Sequence, residues 1–127
     1  MNEDDYVTVM VLGSPKLGET EFEHLCMVLQ DYTADRRYYG NYFRYRIIQT
    51  GEDGGIAAMA RKFALDYEIL SVGEQHKDYL IKDWLADEHR MSVDLCIAYM
   101  AGDSSDNPTW RLLRQIVNAG IDEIRIY

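Results

Sequence analysis

The sequence predicts an α/β domain in three layers, with about five parallel strands and helices on both faces. Three observations lead there. Short apolar runs alternate with segments of helical periodicity along the chain. The runs are close to continuously apolar, as suits strands buried on both sides rather than on one. The turns that follow three of them are rich in Gly, Ser, Asp and Thr, the composition of loops that end strands and start helices.

In order, the first strand covers residues 6–12 and stops at Gly13-Ser14-Pro15. Thr20-Glu21-Phe22-Glu23 has the form of a capping box, so the first helix is expected to start at Thr20. Phe22, Leu25, Cys26, Leu29 and Tyr32 recur there at helical spacing and make one apolar face. A second strand is expected at 45–49, then a helix at 56–65 that buries Ile56, Met59, Ala60 and Phe63. Residues 68–72 read as a short third strand. Residues 77–91 read as a helix with Ile81, Trp84 and Leu85 inward. The fourth strand is expected at 93–100. Asn107 suits an N-cap and Pro108 a first helical position, so the last helix spans 108–119. Gly120 then ends it in a left-handed conformation, and 123–126 closes the sheet.

The length of 127 residues fits one domain. No apolar run approaches the roughly 18 residues of a membrane helix. The start, Met1-Asn2-Glu3-Asp4-Asp5-Tyr6, has neither the basic residues nor the apolar stretch of a secretory signal, so a cytoplasmic setting is expected. The net charge of −9 argues against a duplex partner, which is held by neutralising phosphates with Lys and Arg. It leaves small anions open, because amide N–H groups at a helix start bind phosphate without basic side chains. Cys26 and Cys96 each lie in an apolar periodic segment and read as reduced core residues. His24, His76 and His89 fall at no metal-ligand spacing, so neither a metal nor a cofactor is expected.

Ligands of a parallel sheet sit beyond the carboxyl ends of its strands, and three loops are expected at that edge. Gly13-Ser14-Pro15 combines close backbone approach with a hydroxyl donor. Thr50-Gly51-Glu52-Asp53-Gly54-Gly55 sets three glycines directly before a helix, a pattern that can aim amide N–H groups at an anion. It matches neither a GxGxxG nor a P-loop. Gly102-Asp103-Ser104-Ser105-Asp106-Asn107-Pro108-Thr109 crowds small polar side chains around the last helix start. A fourth segment, 36–46, concentrates four arginines and five aromatic residues in an otherwise acidic chain. That mixture makes a protein interface, with self-association into a homo-oligomer through 36–46, the expected role; ligand contact by stacking and charge, or plain packing, are the alternatives.

With those residues in view, the chain resembles the SLOG superfamily, a Rossmann-like group that includes the LOG phosphoribohydrolases and the DprA-type fold. It is most similar to the small stand-alone branch of YspA-like proteins. Val9-Met10-Val11-Leu12-Gly13-Ser14 resembles the family's first strand and turn. The run Gly51 to Ala60 resembles its Gly-rich turn and small-residue helix. Residues 93–99 and the loop 102–109 resemble its later strand and loop. Two departures stand out. The Pro-Gly-Gly-x-Gly-Thr run of the LOG enzymes is replaced by residues 103–109, and the family's Arg-Asn pair is missing, with Arg90 the nearest substitute.

The resemblance implies a Rossmann-like sandwich that binds a nucleotide-derived ligand of ADP-ribose or cyclic ADP-ribose type. The departures point away from efficient catalysis. The domain then acts as a sensor, or as a viral protein that sequesters the signal and counters host immunity. In that picture Gly13, Ser14, Gly51, Gly54, Gly55 and Ser104 approach phosphates, and Glu52 and Asp103 hold ribose hydroxyls. Arg44 or Arg90 adds charge, and Pro15, Thr50, Asp53, Gly102, Asn107 and Thr109 complete the lining. Two alternatives remain open. One is a phosphoribohydrolase acting on a nucleoside monophosphate through Glu52, Asp53 or Asp103. The other is an acidic inhibitor that occupies a surface of a host protein.

Overall fold

The structure is a computed structural model that describes residues 6–17, 19–36, 44–66, 80–100 and 108–127. In chain order these form β1 (Tyr6–Gly13), α1 (Glu19–Arg36), β2 (Arg44–Ile48), α2 (Gly55–Asp66), α3 (Ile81–Ala86), β3 (Leu95–Tyr99), α4 (Pro108–Ala119) and β4 (Ile124–Ile126). The α/β alternation read from the sequence holds. Among the described residues the strands form one four-stranded sheet in the order β2-β1-β3-β4, every pair parallel. That is one strand fewer than expected, and residues 68–72, assigned to the extra strand, lie outside the described residues.

β1 is central because its residues are apolar on both sides. Val7, Val9 and Val11 enter one buried cluster, with Leu25, Val28, Leu29 and Tyr32 of α1 and Ile56, Ala60 and Phe63 of α2. Met10 and Leu12 enter the other, with Ile81 and Trp84 of α3 and Leu113 and Ile116 of α4. This alternation follows from strand geometry, in which successive side chains leave on opposite sides.

Several expected boundaries move. Thr20 lies inside α1 rather than at its cap, so the capping-box reading fails. β3 is shorter than 93–100, since Asp94 turns its carboxylate onto the Thr8 amide (2.9 Å) while its own amide donates to the Thr8 carbonyl. The helix expected at 77–91 shrinks most. Leu80 is extended and forms a parallel bridge with Gln49, whose carbonyl accepts the Ile81 amide at 3.0 Å. The helix stops after Ala86, where the Asp87 carboxylate takes the His89 amide and turns the chain away. By contrast α4 spans 108–119 as expected, and Gly120 has φ +88°.

Cys26 and Cys96 are both free thiols. Burial pushes the Cys96 thiol up from 9.0 to about 12, so folding favours its neutral form. A group with a raised folded-state pKa stabilises fully below its unfolded value and loses that contribution as pH climbs through the folded one. Unfolding free energy should therefore fall by about 1.4 kcal/mol per pH unit above pH 9 from this residue. Urea midpoints at pH 8 and pH 10.5 check it, and Cys96→Ala should flatten the slope. In native protein, half-buried Cys26 should be alkylated well before Cys96.

Candidate functional site

The strand order decides where a site can form. From β1 the chain adds β2 on one side, while β3 and β4 stand on the other. The winding direction reverses between β1 and β3, and in open parallel sheets ligands occupy the crevice at the carboxyl ends there. Gly13 and Tyr99 are register partners at that end.

Two of the three expected loops meet at this point. The Ser14 carbonyl accepts the Leu17 amide at 3.2 Å and, more weakly, the Ile56 amide at 3.5 Å, while the Ser14 hydroxyl accepts the Lys16 amide at 3.1 Å. The turn after β1 is thereby joined to the start of α2. The glycines, however, serve contact of chain on chain. A Cβ at Gly13 would lie 2.5 Å from Ile56 Cγ1 and 3.1 Å from Tyr99 Cβ. Gly55 has φ +70°, and a Cβ there would lie 2.4 Å from the Pro15 Cα and 2.6 Å from the Ser14 carbonyl oxygen. Gly51 has φ +90° and faces the Leu80 side chain. Gly54 alone of these is exposed with nothing within 4 Å of an added Cβ.

The loop 50–55 is held from behind. Gln49 Oε1 accepts the Gly51 amide at 2.5 Å and Arg61 Nη1 at 2.8 Å, and Arg61 Nη2 donates to the Glu52 carbonyl at 2.5 Å. The Thr50 hydroxyl donates to the Glu52 carboxylate. Several groups expected to meet a ligand are thus engaged within the protein: the amide of Gly51, the hydroxyl of Thr50 and the carboxylate of Glu52, while the Ser14 hydroxyl serves the Lys16 amide as acceptor only. Asp53 and Gly54 remain exposed at the tip.

A group not anticipated from the sequence borders the same end of the sheet. His24 Nδ1, from the second turn of α1, shares a 2.8 Å hydrogen bond with the Tyr99 hydroxyl. The Tyr127 and His24 rings are nearly perpendicular (76°) with centroids 4.5 Å apart, and Tyr127 lies 5.5 Å from Tyr99, tilted by 31°. Burial, then the neighbouring Tyr127, Cys26 and Glu21, push the Tyr99 hydroxyl well above its ordinary value, so it stays protonated. Gln49 and Arg61 were likewise unforeseen. A polar residue ending the expected strand 45–49, next to Ile47 and Ile48, was the available hint for Gln49; Arg61 carried none.

The remaining expected residues scatter. Thr109 is buried in the first turn of α4. Gly102, Asp103, Ser104 and Asn107 lie outside the described residues, as do residues 37–43 of the arginine- and tyrosine-rich segment. The last part of that segment is internal. Tyr45 packs in the core, and Arg46, only 3% exposed, donates from Nε to the Thr8 hydroxyl at 2.6 Å. Interface or ligand contact is therefore no role for those two. Arg44 opens β2. Arg90 is not brought to Gly13. It stacks on Trp84, 5.1 Å from the ring centroid, and donates to the Leu85 carbonyl in the connection that enters β3.

Among the described residues no three His, Cys, Asp or Glu side chains group as a metal site, and no helix is long and apolar enough to cross a membrane. Compared with family models, curated proteins and solved structures, the chain matches none.

Proposed function

We propose that this chain is a Rossmann-like, three-layer binding domain for a nucleotide-derived small molecule of ADP-ribose or cyclic ADP-ribose type. Its role is recognition rather than turnover, as a sensor or as a sequestering protein that counters host immune signalling. The observation that carries this reading is the reversal of strand order at Gly13-Ser14, with the loop 50–55 packed against that turn. Such a reversal is where parallel sheets hold nucleotides. The ligand class rests on the resemblance of the first strand and Gly-rich turn to SLOG domains. Engagement of Thr50 with Glu52, and of Arg61 with the loop backbone, supports a rigid receptor over a carboxylate poised for hydrolysis.

Calorimetry of the full chain against AMP, ADP, ADP-ribose and cyclic ADP-ribose isomers tests it. Binding of at least one should saturate at micromolar concentration. Gly54→Trp places a ring in open space beside the turn, at a position without strained backbone. It should weaken binding by about tenfold or more, as occlusion of a preformed site does, and leave the melting temperature unchanged. No heat from any of these ligands at high micromolar concentration would remove the reading. Adenine released from AMP would replace it with the hydrolase.

A further inference from the structure

The ring cluster at the carboxyl end of β3 and β4 leaves one of its rings partly exposed. Tyr99 is buried and Tyr127, beside it, is 44% exposed. Yet Tyr127 is firmly placed. Its amide donates to the Ala98 carbonyl at 2.8 Å and its carbonyl accepts the Met100 amide at 2.9 Å. Its ring is braced by His24 at 4.5 Å and Tyr99 at 5.5 Å, and the Tyr99–His24 hydrogen bond fixes the braces to each other. Tyr99 is the register partner of Gly13, with its Cβ beside the Gly13 position, so the cluster begins at the strand end that borders the reversal point.

We infer that the exposed Tyr127 ring, braced by His24 and Tyr99, is the stacking platform for the purine ring of the bound nucleotide. This rests on the binding reading above and assigns its base subsite. A ring already immobilised by its neighbours loses little further side-chain entropy when a base settles on it. Stacking needs no charge, which suits an uncharged base in an acidic chain, and it tolerates any base because each has a π-face.

The test is calorimetry with AMP, ADP-ribose and ribose 5-phosphate on the wild type, Tyr127→Ala and Tyr127→Phe, with melts confirming the fold. Tyr127→Ala should weaken AMP and ADP-ribose by about tenfold or more, as loss of a stacking ring does, and leave ribose 5-phosphate unchanged. Tyr127→Phe should bind as the wild type. A wild type that binds AMP with a Tyr127→Ala variant that binds it equally well overturns the platform alone. Equal weakening of ribose 5-phosphate overturns it too, since that ligand has no base. A wild type that binds none of the three overturns platform and binding reading together. Should Tyr127→Ala fail to fold, Tyr127→Trp gives the second readout. The emission it adds to that of Trp84 and Trp110 should be quenched by saturating AMP, and an unchanged increment overturns the platform.

Discussion

Gly55→Ala should destabilise the protein by about 3 kcal/mol. Two costs add. Its φ of +70° lies in the left-handed region, where an L side chain costs roughly 1–2 kcal/mol. The new methyl group would also meet backbone atoms of Ser14 and Pro15 within 2.4 to 2.6 Å, and overpacking against a rigid wall costs about 1–3 kcal/mol. Reduced freedom of the unfolded chain offsets about 0.4–1 kcal/mol of this. A thermal melt should drop by about 10 °C for a domain of this size. Gly54→Ala is the internal control, with ordinary backbone and open space at the Cβ. If both variants melted alike, the contact between the two loops would not be the reason for the glycine.

Trp84→Ala should cost about 3–5 kcal/mol, the range for removing a buried large aromatic ring. Trp84 is 1% exposed within the cluster of Met10, Ile48, Ile81, Leu113 and Ile116. Its Nε1–H donates to the Met91 carbonyl at 2.8 Å, and Arg90 covers the ring. The indole therefore ties a six-residue helix to the chain entering β3, a helix too short to persist alone. Against a total stability of about 5–15 kcal/mol, much of the margin would go. Trp110 remains as a fluorescent probe for urea unfolding. Trp84→Phe keeps most of the apolar volume but leaves the Met91 carbonyl without its donor, so a smaller loss of about 1–3 kcal/mol is expected.

Much of the architecture was legible because it depends on local pattern. The apolar run in β1, the periodicity of α2, and the Pro108 start and Gly120 stop of α4 are each written within a few neighbouring residues. The segment before α3 was not. Leu80 looks like part of a helical pattern, and only the strand edge at Gln49 holds it extended. Helix propensity is a weak preference that one sheet hydrogen bond and a packed side chain can override.

The candidate site divides along the same line. Gly13 and Gly55 announced close approach, and close approach is what they provide, but a glycine does not say whether its neighbour is a ligand or another stretch of chain. Ile56, Ser14 and Pro15 fill those positions from 40 or more residues away in sequence for each pair. Arg46 is the converse case. Its local company of tyrosines and arginines suggested a surface, whereas the β1–β2 register sets it opposite Thr8 and buries it.

From the residues alone came the α/β class, the parallel sheet and the expectation that Gly13-Ser14 and 50–55 stand at one edge. Those follow from hydrophobic period and turn chemistry, which act over a few bonds. Tertiary structure alone decided that the glycines close on other chain segments, that Arg61 and Gln49 hold the loop, and that His24, Tyr99 and Tyr127 assemble beside it. Each of those pairings joins residues distant in sequence, and only the register and packing of the completed sheet bring them within a few ångströms.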